Sequence, residues 1–314
     1  MSGLEVEVGR VRLRNPFLLA SGIWGESGRS LARVHEAGAG GVVTKSIGRN
    51  PRDGYPNPTV ESLGDWGMLN AMGLPNPGIE RYPEEIREAL SAGATVIGSV
   101  FGGDAEEFAQ LAGQMADAGV CAVELNLSCP HARGYGSEIG QDPEVLREVV
   151  RAVRQAIRIP VWAKLTPNTQ DPAALARAAE GAGAHAISAI NTVRAMAIDT
   201  TLRRPVLANG FGGLSGPAIK PIGLACIWQM YDAVKIPLVG IGGIQTARDA
   251  LEYLLAGARA VEIGTAVATR GPGVFAELCR DLPGELERAG CADVASAVGG
   301  AHPRGDPPAA RAGS

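Results

Sequence analysis

Short apolar runs alternate with amphipathic stretches along nearly the whole chain. The runs Phe17–Ser21, Gly41–Ser46, Thr95–Phe101, Val120–Leu127, Val161–Leu165, Ala186–Asn191, Pro237–Ile241 and Ala260–Gly264 each read as a buried strand. Helical patterns lie between them, over Leu31–Ala37, Tyr82–Ala92, Asp104–Ala118, Pro143–Ile157, Asp171–Gly181, Pro217–Val234, Thr246–Ala256 and Pro272–Ala289. Asp142 and Asp171 each precede a proline. That order fits an N-cap followed by proline at the first helical position. Helices often close on an Ala-Gly pair, as at Ala37-Gly38, Ala118-Gly119, Ala182-Gly183 and Ala256-Gly257. Glycine there suits a left-handed C-terminal cap, after which a strand follows.

Eight strands alternating with eight helices imply parallel strands joined by crossover helices. Eight such units are enough to close a single (β/α)8 barrel of the TIM type. The alternative is an open doubly wound sheet, which needs a nucleotide-binding glycine fingerprint after an early strand, and none stands there. Ahead of the rhythm, Leu4–Val8 and Val11–Leu13 flank Gly9-Arg10 like a small β-hairpin. It is too short for a domain and is expected to plug one end of the barrel. The predicted organisation is therefore residues 1–14 as a capping hairpin and 15–295 as the barrel. Residues 296–314, rich in Pro, Gly, Ala and Arg, are predicted to be a disordered tail.

Composition narrows the class. The chain has 314 residues, 46% hydrophobic and 20% charged, ample for a sizeable core. A net charge of −4 and the lack of a basic cluster argue against nucleic acid. No apolar run approaches membrane-spanning length and the first residues do not read as a signal peptide, so a soluble cytoplasmic protein is expected. Five cysteines, at 121, 129, 226, 279 and 291, form no Cys-x-x-Cys pair. The chain is thus expected to hold neither metal nor iron–sulfur cluster, and to carry free thiols. Four of them read as small apolar packing groups; Cys129 differs because it stands where a strand gives way to a loop.

That exit is the chemical centre of the sequence. Glu124-Leu125-Asn126-Leu127-Ser128-Cys129-Pro130-His131 begins as a strand and ends at a proline, followed by a loop with Gly134, Gly136 and Gly140 that can act as a lid. In a barrel the C-terminal strand ends share one pocket. They carry Ala20-Ser21-Gly22, Thr44-Lys45-Ser46, Ser99, Asn126, Lys164 with Thr166, Asn191-Thr192, Gly242-Gly243 and Gly264-Thr265. The last two glycine ends read as a phosphate site, strengthened by Gly212-Gly213-Leu214-Ser215-Gly216 opening the preceding helix. Ordinary βα turns would also account for glycine pairs. Lys45 and Lys164 sit in apolar strands, which is costly unless each reaches solvent or an anion. A shared anionic ligand satisfies both. Asn126 and Asn191 can donate and accept at once, which suits the edge of a planar heterocycle, although either could equally satisfy backbone groups.

Several of these segments resemble the dihydroorotate dehydrogenases. The resemblance rests on Leu69–Gly78 (LNAMGLPNPG), Asn126–Pro130 (NLSCP), Ala163–Asn168 (AKLTPN), Ile190–Thr192 (INT) and Gly212–Pro221 (GGLSGPAIKP), and covers roughly Asn15 to Pro283. Cys129, where the membrane-bound class has serine, is similar to class 1, and the Gly212–Pro221 run is more similar to class 1B than to 1A. The resemblance implies a flavin mononucleotide (FMN) enzyme of pyrimidine (UMP) biosynthesis that oxidises dihydroorotate to orotate. It implies Cys129 as the base for the C5 proton and the flavin as acceptor of the C6 hydride. Lys45, Asn70, Met72, Gly73, Leu74, Asn126, Asn191 and Thr192 would bind substrate. Ala20, Ser21, Lys45, Ser46, Ser99, Asn126, Lys164, Ile190, Gly216, Gly242, Gly243, Gly264 and Thr265 would bind the flavin. A thiol can serve as base when a cation or loop closure tunes it, and a fixed lysine stabilises a reduced flavin.

Class 1B also implies a partner subunit carrying FAD and a [2Fe–2S] cluster that passes electrons to NAD, around a homodimer of catalytic subunits in a heterotetramer. A 1A-like homodimer using fumarate is the other acceptor arrangement. The residue after Cys129-Pro130 is His131 where class 1 usually has asparagine, a position that can contact orotate. Asn126–His131 and Lys164–Asn168 are also similar to dihydropyrimidine dehydrogenase, which reduces uracil and thymine, but Leu69–Gly78 looks like the dihydroorotate family. A reading of a different kind is a phosphate-binding barrel without redox chemistry, aldolase-like with Lys164 as a Schiff-base lysine.

Overall fold

The structure, a computed structural model, describes residues 3–127 and 140–303. Eight parallel strands close a barrel: β1 (Phe17–Leu19), β2 (Gly41–Val43), β3 (Val96–Val100), β4 (Ala122–Asn126), β5 (Val161–Leu165), β6 (Ala186–Ala189), β7 (Leu238–Ile241) and β8 (Ala258–Ile263). Each strand pairs with the next in sequence, and β8 pairs with β1. The crossover helices are α1 (Gly28–Glu36), α2 (Pro83–Ser91), α3 (Ala105–Asp117), α4 (Pro143–Ala156), α5 (Pro172–Gly181), α6 (Lys220–Tyr231), α7 (Ala247–Leu255) and α8 (Val274–Arg288). The fold is the expected (β/α)8 barrel.

Local chemistry places these boundaries as anticipated. Asp142 caps α4 through the Glu144 N–H at 2.8 Å, and Asp171 caps α5 through the Ala174 N–H at 2.8 Å. The glycines of all four Ala-Gly pairs have positive φ, from 95° at Gly183 to 117° at Gly257, as a left-handed cap requires.

The hairpin, Val6–Val8 against Val11–Leu13, pairs Val8 with Val11. Val8, Val11 and Leu13 pack into a buried cluster with Leu18, Val43, Ile97, Ala122, Trp162, Ala186, Val239 and Ala260, one side chain from each barrel strand. It therefore stoppers the barrel interior at the end where the strands begin. A larger apolar layer lies between barrel and helices. Among the described residues no helix is long and apolar enough to cross a membrane.

Two features depart from the sequence reading. The chain between β2 and α2 and the chain between β6 and α6 each leave the barrel and join in a four-stranded antiparallel sheet. Its strands are Val193–Ala195, Gly212–Ser215, Met68–Asn70 and Val60–Ser62, in that order. Gly212–Ser215 is thus a strand paired with Met68–Asn70, and only Gly216, with φ 94°, turns the chain toward α6. The second departure is the tail. Residues 296–303, predicted disordered, are folded: Val294–Ala297 is a short helix, and the Gly299 and Ala301 N–H groups donate to the Leu254 and Leu255 carbonyls at 2.9 and 3.1 Å. His302 stacks on Trp228 with ring centroids 3.7 Å apart. These contacts outweigh a composition that favours disorder. The remainder of that tail, residues 304–314, lies outside the described residues, as do residues 128–139.

Candidate active site

A cavity of about 350 Å³ opens at the C-terminal ends of the barrel strands, with the four-stranded sheet supplying one wall. Every residue assigned above to substrate or flavin lines it except Ser99. Cys129, Ser128, His131 and most of the lid loop fall outside the described residues. Parallel pairing explains why residues distant in sequence meet here. Asn126 is in register with Lys164, and Lys164 with Ser188, across β4, β5 and β6.

One end of the cavity is built from glycine. Gly243, after β7, has φ 72°, and a Cβ there would lie 2.7 Å from Lys220 Cβ and 2.9 Å from the Gly216 carbonyl oxygen. A Cβ on Gly216 would approach Thr265 Cγ2 to 3.3 Å. The Thr265 hydroxyl donates to Ser215 Oγ at 2.9 Å. Gly216, Gly243, Gly264 and Thr265 therefore converge from three loops, and at Gly216 and Gly243 the packing leaves no room for a side chain. Lys220 stays behind this loop, ion-paired with Asp249 at 2.6 Å and Glu252 at 3.0 Å. The Tyr253 hydroxyl anchors the preceding turn by donating to the Gly242 carbonyl at 2.7 Å.

Next to Gly264, from the end of β1, a chain of hydroxyls runs across to β2 and β3. Ser21 Oγ lies 3.1 Å from Ser46 Oγ, and Ser46 Oγ lies 2.9 Å from Ser99 Oγ. Asn126 Nδ2 donates to Ser46 Oγ at 3.0 Å. Ser99, fully buried, thus stands behind Ser46 and holds it, rather than facing the cavity as predicted. Asn70 Nδ2 donates to the Gly213 carbonyl at 3.2 Å, tying the sheet wall together. Asn191 Oδ1 accepts from the Thr192 N–H at 2.7 Å. Met72, Gly73 and Leu74 line the rim, Leu74 with φ 59°.

Both predicted lysines are present, and each already has carboxylate company. Lys45 Nζ is 3.0 Å from Glu26 Oε1, and Glu26 lines the cavity and is largely exposed. Lys164 Nζ is 3.3 Å from Glu124 Oε1 and 3.0 Å from Glu262 Oε2, all three side chains being buried. Ser188 Oγ donates to Glu124 Oε2 at 2.7 Å. Burial opposes the charge of Lys164, but the two carboxylates outweigh it and hold its pKa above the ordinary lysine value. Burial, then the neighbouring Glu124 carboxylate, push Glu262 well above the usual carboxylate range, with Lys164 pulling partly back.

Lys164 is therefore not a lysine waiting for an anionic ligand, as the sequence alone suggested. A Schiff-base lysine needs a depressed pKa, and two buried carboxylates within 3.3 Å of Nζ act in the other direction, so the aldolase-like reading is not favoured. Glu124, Glu262 and Glu26 were missed. The signal that picked out Lys164 applies equally to the first two, each a charged residue inside an apolar strand.

Among the other cysteines, burial pushes Cys121 up to about 12 and Cys226 up to about 11, and raises Cys279. None of these three is poised as a thiolate.

A sequence model of the family described as dihydroorotate dehydrogenase matches residues 3–286. A Pyrococcus abyssi protein named dihydroorotate dehydrogenase B (NAD(+)), catalytic subunit, is 52% identical over 299 residues, 94% of this chain and 98% of that one. Proteins of the same name from Methanocaldococcus jannaschii and Methanosarcina mazei are 50% and 47% identical. The aligned regions span 89% and 93% of this chain, and 92% and 93% of theirs.

Proposed function

The chain belongs to the dihydroorotate dehydrogenase family, and on that premise we propose that it oxidises dihydroorotate to orotate on a bound FMN, as the catalytic subunit of a class 1B complex. The observation that carries this reading is the set of groups in one cavity. A glycine cradle, a buried lysine between two carboxylates, Asn70 on the sheet wall, and Asn126 and Asn191 at the ends of their strands all line it. That set suits a phosphate, a flavin ring and a pyrimidine substrate.

The residues present fit FMN. Gly216, Gly243, Gly264 and Thr265 would hold its phosphate, with Gly242, Ala20 and Ile190 packing around the chain and ring. Ser21, Ser46 and Asn126 supply polar contacts on one side, and Lys164 supplies fixed positive charge. Bound there, the flavin would supply a two-electron acceptor for hydride from substrate C6. The remaining work belongs to the chain. Cys129 takes the C5 proton, acting from the segment outside the described residues. Asn70, Asn126, Asn191 and Thr192 orient the substrate ring, helped by backbone groups of Met72, Gly73 and Leu74. Lys45 meets the substrate carboxylate. Its partner Glu26 is exposed enough to release it when that carboxylate arrives.

The relatives' shared name, a catalytic subunit, supports a second subunit in the working enzyme. We assign FAD, a [2Fe–2S] cluster and the transfer to NAD to that subunit, and a homodimer of this chain to the core of the complex. The exposed apolar residues Met196, Ile198, Leu202 and Phe211, in the excursion after β6, support a partner-covered surface. The reading carries a cytoplasmic setting with it.

The test is anaerobic. The purified chain should be yellow, and dihydroorotate should bleach the flavin band while dihydrouracil leaves it unchanged. Bleaching by dihydrouracil alone would transfer the chain to uracil-type substrates, and a chain that takes up no added FMN would overturn the reading.

A further inference from the structure

One ion pair lining the cavity joins unlike members. The Lys45 side chain is 7% exposed, while that of Glu26, at 3.0 Å, is 70% exposed. Among the described residues Glu26 is the one carboxylate paired with Lys45. A buried cation is costly without an anion beside it, so the empty site keeps Lys45 neutralised by Glu26. The assigned substrate brings a second carboxylate to the same lysine. Lys164 shows what sharing one ammonium costs: Glu262, buried and beside Glu124, is pushed well above the usual carboxylate range. Glu26 has solvent available instead.

The backbone that carries Glu26 is fixed on both sides. The Gly25 carbonyl accepts from the Lys45 N–H at 2.8 Å and from the Tyr82 hydroxyl. A Cβ on Gly25 would lie 2.6 Å from the Lys45 nitrogen, so the loop sits against β2 as closely as glycine permits. On the other side the Gly28 N–H donates to Glu85 Oε2 at 2.6 Å, and Ser27 caps α1 through the Ser30 N–H at 3.2 Å. Between these anchors the exposed Glu26 side chain is the part left to move. It turns on a fixed pivot, against Lys45 in the empty site and out to solvent when another carboxylate arrives.

We propose that Glu26 is a resident competitor of the substrate: its carboxylate holds the place on Lys45 that the substrate carboxylate takes, and so sets how tightly a pyrimidine carboxylate is bound. Glu26 is then a positioning residue that acts through Lys45. Dihydroorotate and orotate carry the same carboxylate, so the return of Glu26 loosens the hold on both and leaves Lys45 paired throughout turnover. The inference rests on the assignment of Lys45 to that carboxylate in the reading above.

The experiment measures, by calorimetry on the FMN-loaded chain, the affinity for orotate and for its neutral carboxamide in wild type, E26Q and E26D. E26Q removes the competing charge. E26D keeps the charge but, on a fixed backbone, draws it back from Lys45 by one methylene. Orotate should bind about threefold or more tighter in both variants, with the amide within about twofold of wild type. Thermal melts establish that each variant is folded, and orotate alone decides if the amide binds too weakly to read. An orotate affinity unchanged or lowered in E26Q overturns the proposal, as does an equal gain for the amide. A gain in E26Q that is absent from E26D would mean charge acting at a distance, not occupancy of Lys45, and overturns it too. A wild type that takes up FMN but binds neither ligand overturns the substrate reading and this inference together. A wild type that binds orotate, unmoved by either substitution, overturns this inference alone.

Discussion

Lys164 balances two buried carboxyl groups, and removing it exposes what each element of that balance does. In K164A, Glu124 and Glu262 are left buried without their cation, which should cost about 3–5 kcal/mol of stability along with flavin affinity. A carboxyl whose folded-state pKa is raised stabilises the fold while protonated and loses that contribution as pH rises through the folded value. Glu262 already has a raised pKa with Lys164 present, and losing the cation raises it further. The deficit in melting temperature of K164A against wild type should therefore widen as pH rises above the ordinary carboxylate range, and a deficit independent of pH would contradict it. The sequence made the lysine visible, because a charge in an apolar strand is conspicuous. It did not make the triad visible, because that requires the register that sets Asn126 beside Lys164 and Ile241 beside Glu262. The Ser21–Ser46–Ser99 chain was legible as three separate strand ends, but not the fact that Ser99 faces Ser46 and not the cavity.

At the scale of elements, the loop after β7 makes the sharpest demand on its sequence. Gly243 combines φ 72° with neighbours at 2.7 and 2.8 Å from any added Cβ, both belonging to Lys220, which is itself clamped by Asp249 and Glu252. G243A should push this loop off Lys220 and spoil the cradle. FMN affinity should fall by ~10-fold or more while riboflavin, which lacks the phosphate, binds nearly as before. Equal losses for the two flavins would show that the loop does not serve the phosphate. The eight strands and their crossover helices could be read from the chain because each is apolar, bounded by glycine or proline, and paired with a sequence neighbour. The four-stranded sheet could not. Val60–Ser62 is wholly exposed, Gly212–Ser215 begins with two glycines, and Gly213 finds its partner Asn70 across 143 positions of sequence. Strands of that kind have no periodicity of their own; the wall they form is specified by long-range pairing.

On the scale of the whole molecule, the two ends of the barrel carry separate duties, and so do its C-terminal residues. His302 stacks on Trp228, and its Nδ1 lies 3.0 Å from Asp232 while its Nε2 meets the Ala256 carbonyl at 3.0 Å, fastening the chain end across α6 and α7. H302A should cost about 1 kcal/mol, a drop of ~2–4 °C in melting temperature, with FMN affinity unchanged. A change in flavin binding would mean that this clasp reaches the site. The stopper at the other end has a consequence for traffic. Among the described residues, Val8, Val11 and Leu13 fill the entrance where the strands begin, so the barrel opens at its other end. Whatever enters first must leave last. On the proposed assignment the cofactor lies on the floor and the substrate above it, so the flavin loads before dihydroorotate and stays while substrate and product exchange. Only electrons need to pass it between turnovers, and they require a neighbour pressed against the wall, not an opening in it.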